Sequence, residues 1–517
     1  MGALKFGRWL AFRLLKITVF IFLCIFQSVF WLAGSKQGLL NTRYHYLSLF
    51  SYFLLWEIAK ERHRHIQLVG ATGAGKSTAI QQLIDWDINH NIGFILIEPM
   101  GSLSERVCAN SKFKMNHRKR YFKNLIYLDF DTNPPPLNFF ELPLPSDPLE
   151  KQRFVEALAE DLAEALGLNM RPSPNEVQQL MLKNLLTLGF YSDNATLQSL
   201  LDWLRMKEAY EIESLVKEIP SIPLQKYFQT DFFSPLSLKS KEALRNRLSG
   251  LLSSLPIYKS LCSRQCVIDF AQILRKKKFV IVKASIGVLG SFVAKTIGNI
   301  ILSLLYLYAF RGIASGNPAQ AFHVYIDETQ YFASSSLAHA LTGARQTGLS
   351  YCLSYQEFSQ EGIPKSLQRT ILLETAVKIF GQMRIDDQKE AVKILGLENK
   401  RAMESLPVGS FYVKSGIKKA FLLRLSQAFS IHQKNFGDLW KGRKFMKKSS
   451  FKQLKQYLGA IHKPRDSVEH YQWPETLPLP TSYSRPFSNF SPHGIPEEKK
   501  HKKSRSSTKR YPNSSSP

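Results

Sequence analysis

At 517 residues the chain is long enough for two or three domains, and its 44% apolar content is that of a packed globular protein. A net charge of +28 bears on partners rather than fold; it suits nucleic acid or an anionic membrane face as well as a solvated surface. The five cysteines (Cys24, Cys108, Cys262, Cys266 and Cys352) are too scattered for a disulfide framework, and Cys262/Cys266 lacks the partners of a zinc site, so they read as reduced cytosolic thiols.

The first element is apolar. Ile17 to Ala33, ITVFIFLCIFQSVFWLA, is extended upstream by Leu10 to Leu15. Residues 10–34 approach the roughly 20 positions that span a bilayer. Trp9 and Trp31 fall where an interfacial aromatic belt would place them. A cleaved signal peptide is the alternative; the nucleotide motif described below needs a cytosolic ligand and argues against it. A second run, Tyr44 to Ala59, is shorter and reads as a second span or an interfacial helix. Lys5, Arg8, Arg13 and Lys16 precede the first run; Lys60, Arg62 and Arg64 follow the second; only Lys36 and Arg43 lie between. The positive-inside rule therefore favours a hairpin with both ends cytoplasmic, an anchor of residues 1–60 in the inner (cytoplasmic) membrane.

From residue 61 short apolar runs alternate with helical patterns. Strands are expected at Ile66–Val69, Gly93–Ile97, Leu125–Phe130, Phe279–Lys283, His323–Ile326, Ser350–Tyr355 and Val377–Gly381, each rich in β-branched or aromatic residues and bounded by Gly, Pro or charge. Such a series argues for an α/β fold with a mostly parallel sheet covered on both faces. From about Pro148 to Asp269 the alternation stops. Phe154, Ala157, Leu158, Leu162 and Leu166 recur at helical spacing, and SPNEVQQLMLKNLLTL opens with Ser173 as a cap and Pro174 in the first turn. Residues 148–269 are too many for one crossover and read as an all-α domain inserted between residues 61–147 and 270–445 of the α/β domain. Two basic runs, Lys112–Arg120 and Arg275–Lys278, could face a nucleic-acid channel or simply be solvated. Residues 446–517 end in a Pro-, Ser-, Lys- and Arg-rich stretch that cannot bury enough apolar surface to order itself.

The chemistry starts at HIQLVGATGAGKSTAIQQL. Gly70, Ala71, Thr72, Gly73, Ala74, Gly75, Lys76 and Ser77 fit G-x-x-x-x-G-K-[ST], and Thr78 follows. An apolar strand precedes the motif and a helix follows it. Glycines let backbone N–H groups turn toward phosphates, and the helix adds its N-terminal dipole. Lys76 would reach the β- and γ-phosphates of ATP, and Ser77 would ligate Mg²⁺. The second acidic element is FHVYIDETQYF, where an apolar strand ends in Asp327 and Glu328. Asp327 would hold Mg²⁺ through water and Glu328 would act as general base, or the pair would merely cap the next helix. Gln356 ends the following strand at the edge where ligands sit in parallel sheets; it reads as a γ-phosphate sensor or a strand-end hydrogen bond. Arg345, on the helix after Asp327, reads as an arginine offered to a neighbouring subunit or as a surface ion pair.

GATGAGKST, IEPMGSLSERV, LNFFELP, YIDETQYF, GARQTGLSYCLSYQ and AVKIFGQMRIDDQKEAVKILG resemble, in order and spacing over about residues 62–430, the type IV secretion coupling ATPases of the TraG/TraD class, within the FtsK/HerA group of RecA-like motors. The resemblance implies a RecA-like P-loop ATPase domain with an inserted all-α domain. It implies a membrane-anchored ring, usually of six subunits, that couples ATP hydrolysis to moving DNA, often single-stranded or a nucleoprotein, into a secretion channel, with channel and relaxosome-like proteins as partners. By motif position it implies Lys76 and Ser77 as phosphate and Mg²⁺ contacts, Asp327 and Glu328 as the hydrolysis motif, Gln356 as the sensor and Arg345 on the helix that offers the trans arginine. Two departures stand out. Glu98, Met100 and Ser102 occupy positions where relatives commonly show Asp, a basic residue or His, and an acid, and the loop between the expected spans is short. Two other readings are an ATP-regulated recruitment platform for effector proteins and a DNA segregation motor; the intact Glu328 favours a hydrolysing motor.

Overall fold

The computed structural model describes Ile58 and residues 61–425, apart from 109, 111–112, 114–123, 169, 171, 315–320, 400, 405 and 417. The expected membrane segments (Ile58 aside), the basic run at Lys112–Arg120 (Phe113 aside) and the basic tail lie outside the described residues.

Among these residues nine strands form one sheet: β1 (Ile66–Val69), β2 (Gly93–Glu98), β3 (Leu125–Asp129), β4 (Phe279–Lys283), β5 (Phe322–Ile326), β6 (Leu349–Tyr355), β7 (Val377–Phe380), β8 (Ser410–Ser415) and β9 (Phe421–Arg424). Their order is β3-β4-β2-β5-β6-β1-β7-β8-β9. The first seven in that order are parallel throughout; β8 and β9 close one edge as an antiparallel hairpin. The parallel strands are buried on both faces, which is why they read as unbroken apolar runs.

The two faces carry separate cores. Ile66, Leu68, Phe94, Leu96, Phe279, Ile281, Tyr325 and Ile379 share one with α1 (Lys76–His90) and α2 (Ser102–Cys108). Val69, Ile95, Ile97, Val280, Val282, Ile326, Leu353 and Phe380 belong to the other. Alternation of side chains along each strand produces this division.

Between β3 and β4 the described residues are helical, with short 3-10 turns: α3 (Pro148–Gly167), α4 (Glu176–Tyr191), α5 (Leu197–Trp203), the single turn Glu213–Val216, α6 (Ile222–Gln229), α7 (Leu238–Leu252), α8 (Leu255–Leu261) and α9 (Phe270–Arg275). The chain enters and leaves this segment side by side. Leu137 N donates to Ser260 O at 2.8 Å, Val267 N to Pro136 O at 3.1 Å, and Leu137 pairs with Cys266 in an antiparallel bridge. Asp147 caps α3 by accepting from Glu150 N, ahead of Pro148 at the first position. The cap of α4 differs from the sequence expectation: it is Asn175, not Ser173. Asn175 Oδ1 accepts from Gln178 N at 2.9 Å and Gln178 Oε1 accepts from Asn175 N at 3.2 Å, a reciprocal box that satisfies two donors at once.

After β4 come α10 (Ser291–Ala314), α11 (Ser335–Thr347), α12 (Lys365–Glu374) and α13 (Ile385–Leu395). Among the described residues α10 is the one helix long and apolar enough to cross a membrane, and it is the central core helix instead: Ile297, Ile300, Ile301, Leu304, Leu305 and Ala309 are all buried. Glu164 of α3 accepts from Ser335 N at 3.0 Å, fastening the helical segment to the start of α11. The run Arg275–Lys278 forms the tight turn from α9 into β4, with Lys277 at φ 49° and Lys278 Nζ 3.3 Å from Asn124 Oδ1.

Candidate functional site

The parallel strands end their C-terminal edges together, and the site gathers there. The loop from β1 into α1 is drawn tight by contacts to the end of β6, to the turn after β7 and to the residue before β8. Gly70 N donates to Tyr355 O (3.3 Å), Ala71 N to Gln382 O (2.6 Å), and Ala74 O accepts from Gly409 N (2.9 Å). Gly73 and Gly75 hold φ of 83° and 101°. Gly75 is also constrained from outside: a Cβ there would lie 3.3 Å from Gly409 Cα. The left-handed turn into α1 and the close approach of the β8 hairpin both require glycine at that position.

Lys76 opens α1 and is 6% exposed. Its Nζ donates to Gly70 O at 2.7 Å and to Ala71 O at 3.4 Å, so the ammonium lies folded back over the loop. Burial lowers its pKa, and the charges of Glu328 and Asp327 oppose that shift. Thr78 is half-buried in the first turn of α1.

Strand β5 supplies the acids. Ser77 Oγ donates to Asp327 Oδ2 at 3.0 Å. Asp327 is 3% exposed; burial first, then the charges of Glu328 and Glu98, push its pKa up to about 6, against the hydroxyls of Ser354 and Ser77. Its Oδ1 is buried with no hydrogen-bond partner. Glu328 takes φ 55°, ψ 61°, a left-handed conformation that costs a non-glycine residue about 1 kcal/mol or more and marks functional sites more often than chance. Glu328 Oε2 accepts from Gln330 Nε2 at 2.7 Å and from Gln356 Nε2 at 3.3 Å. Gln356 Oε1 in turn accepts from Thr72 Oγ1 at 3.1 Å. A line of polar contacts thus runs from the loop, through the end of β6, to the acid after β5.

The fold therefore brings the loop, Asp327, Glu328 and Gln356 into one site. Arg345 lies on α11, and its side chain is not among those described. Three contributors were not singled out from sequence. Gln330 holds Glu328, although it stands inside the quoted YIDETQYF. Gly409 and Phe411 back the loop from the hairpin edge, signalled only by the turn residues of LPVGSF.

Ser77 Oγ and the unsatisfied Asp327 Oδ1 are hard oxygens of the kind Mg²⁺ prefers, so these residues fit that ion. Among the described residues no group of three His, Cys, Asp or Glu side chains could hold a metal by itself.

No protein-family model and no curated protein matches the sequence. Solved structures of the conjugative coupling protein TrwB do match in fold. The unbound monoclinic form of TrwBdeltaN70 superposes with TM-score 0.50 at 13% identity, over 71% of this chain and 85% of that one. The TrwB complex with a non-hydrolysable ATP analogue gives 0.51 at 14%, over 70% and 85%. The complex with ADP and Mg²⁺ gives 0.50 at 14%, over 71% and 86%. This chain shares that α/β fold.

Proposed function

We propose that the chain is an ATP-hydrolysing motor that moves DNA, single-stranded or as a nucleoprotein, as the coupling protein of a type IV secretion or conjugation system. The observation that carries the reading is the contact of Ser77 with Asp327, two residues 250 positions apart that the fold places 3.0 Å from each other beside a glycine-rich loop. The TrwB fold supports it, and the solved TrwB complexes with nucleotides, one of them with Mg²⁺, support nucleotide and Mg²⁺ as ligands.

In this reading the loop amides and Lys76 cradle the phosphates, Lys76 leaving the carbonyls of Gly70 and Ala71 for the β- and γ-oxygens. Ser77 and Asp327 would hold Mg²⁺. Bound Mg²⁺ would neutralise charge developing on the phosphoryl group. Glu328, oriented by Gln330 and Gln356, accepts the proton of the attacking water. Gln356 reports the state of the phosphates from Thr72 to Glu328. Arg345 acts on the site of a neighbouring subunit in a homo-oligomeric, hexameric ring. Residues 1–60 anchor the ring at the cytoplasmic membrane with the ATPase facing inward, residues 148–269 form an all-α domain inserted between the two parts of the ATPase (61–147 and 270–445), and the basic tail and net charge of +28 favour a polyanion partner.

The test is steady-state ATP hydrolysis by the full-length protein alone, with single-stranded DNA and with double-stranded DNA, beside Lys76→Ala and Glu328→Gln. Stimulation by DNA that vanishes in both variants supports the motor. Tight ATP binding without turnover under any DNA would leave the recruitment platform instead.

A further inference from the structure

Asp327 does not end its strand alone. Ile97 of β2 pairs with Ile326 of β5, and Ile326 pairs with Leu353 of β6. The next residue on each strand is Glu98, Asp327 and Ser354, so the three form one row across neighbouring strands. Ile97, Ile326 and Leu353 belong to the core on one face of the sheet. Alternation turns the row to the opposite face, the one covered by α1, whose first turn carries Lys76 and Ser77.

The row is buried: Glu98 is 1% exposed, Asp327 3% and Ser354 0%. Glu98 Oε2 is fully engaged, accepting from Ser104 N at 2.9 Å and Ser104 Oγ at 2.8 Å. Those two bonds fix the carboxylate and leave its other oxygen, Oε1, buried with no hydrogen-bond partner, as is Asp327 Oδ1. Buried polar atoms without partners are rare in native proteins. Here one carboxylate oxygen on each of two adjacent strands, strands that lie about 4.8 Å apart, lacks a partner. The Arg106 guanidinium, whose Nε is buried and also unpartnered, interacts with the charges of both acids.

We propose that Glu98 is a second acidic group of the nucleotide site. Its Oε1 receives a water from the shell of the divalent cation held at Ser77 and Asp327, which makes Glu98 a positioning residue rather than a direct ligand. The inference rests on the nucleotide reading above and extends it to the strand next to Asp327. The competing role is structural only: Glu98 as the cap of α2 through Ser104.

The experiment measures affinity of the full-length protein for a fluorescent ADP across a Mg²⁺ titration and in EDTA. Glu98→Gln keeps the shape and an acceptor for Ser104 but removes the charge. Its half-saturating Mg²⁺ is expected to rise about tenfold, the scale of second-sphere substitutions at metal sites, with the affinity in EDTA unchanged. Glu98→Asp, which keeps the charge one methylene further back, is expected about threefold above wild type. Ser104→Ala removes the hydroxyl bond to Glu98 Oε2 and keeps the backbone N–H bond; it is expected to lower the melting temperature while leaving half-saturating Mg²⁺ within threefold of wild type. Wild-type Mg²⁺ dependence in Glu98→Asp and in Glu98→Gln overturns the proposal, and should the Gln variant fail to fold, the Asp variant decides alone. A Ser104→Ala shift as large as that of Glu98→Gln also overturns it, because the effect would then pass through the cap. If the wild-type protein binds no nucleotide, both this inference and the nucleotide reading fall; if only the Glu98 variants behave as wild type, the nucleotide reading stands.

Discussion

Replacing Lys76 by Met separates what the lysine contributes to the fold from what it contributes to the ligand. In the free protein the ammonium is 6% exposed and makes one short bond, 2.7 Å to Gly70 O, and one long one, 3.4 Å to Ala71 O. The short charge-assisted bond contributes about 1.5–3 kcal/mol. Against it stands the cost of burying an ammonium, several kcal/mol, relieved in part by the charges of Glu328 and Asp327. The two sides nearly cancel, and Met fills the same volume without a charge. Lys76→Met is therefore expected to change the unfolding free energy by no more than about 1 kcal/mol. The same substitution removes the charge that meets the phosphates, an expected loss of about 3 kcal/mol or roughly 150-fold in nucleotide affinity. Thermal melts with and without Mg²⁺-ADP read both quantities. At 100 times Kd, ligand stabilises the wild type by about 2.7 kcal/mol, a rise in Tm of about 3 °C for a chain of this size, and the variant shows almost none. A variant that loses more than about 2 kcal/mol of stability, or keeps its ligand-induced shift, refutes the reasoning.

Three further outcomes follow from the packing. A Cβ at Gly298 of α10 would lie 2.2 Å from Phe332 Cε1, just past the turn that carries Glu328 and Gln330; Gly298→Ala is expected to destabilise by about 1–3 kcal/mol in urea and to depress turnover more than nucleotide affinity. Asp161 of α3 has its pKa pushed up to about 6, by burial first and then by Glu164 and Glu160. A raised carboxyl pKa means the folded state binds the proton more tightly, so this group's contribution to stability grows as pH falls through 6 toward 4. Asp161→Asn should therefore be more stable than wild type at pH 7.5, by about 1 kcal/mol once partial exposure is discounted, with the gap shrinking below pH 6 and closing only below about pH 4; a gap that does not change with pH contradicts this. Asn175→Ala should cost about 1 kcal/mol and Ser173→Ala close to nothing, measured in the same denaturant series, because the cap of α4 is Asn175.

The legible parts of the fold were those where one physical cause dominates. All seven parallel strands lay within one residue of their expected bounds, because burial on both faces writes itself as a continuous β-branched or aromatic run. The hairpin β8–β9 was not legible. Its strand SFYVKS alternates buried and half-buried residues at a sheet edge, and nothing in that pattern says that Gly409 and Phe411 will press against the phosphate loop. The loop itself could be read because its glycines, lysine and serine are adjacent in sequence. The support for Glu328 could not: Gln330 and Gln356 converge on one carboxylate oxygen only once β5 and β6 pair. Likewise Glu98, a departure in a motif when read along the chain, becomes a neighbour of Asp327 only through the register of β2 on β5. The cap at Asn175 went unread because Ser173-Pro174 is itself a good start signal, and the reciprocal pair Asn175/Gln178 two residues on satisfies more donors.

In the proposed mechanism Glu328, at left-handed φ, activates water for nucleotide hydrolysis. The most direct measurement is single-turnover hydrolysis of radiolabelled ATP by the full-length protein and by Glu328→Gln, with bound nucleotide identified after rapid separation. The Gln variant is expected to bind ATP as tightly as wild type and to retain it as ATP, with a turnover rate at least 100-fold lower. Hydrolysis by Glu328→Gln within about threefold of wild type, a difference under about 1 kcal/mol in barrier, would contradict it.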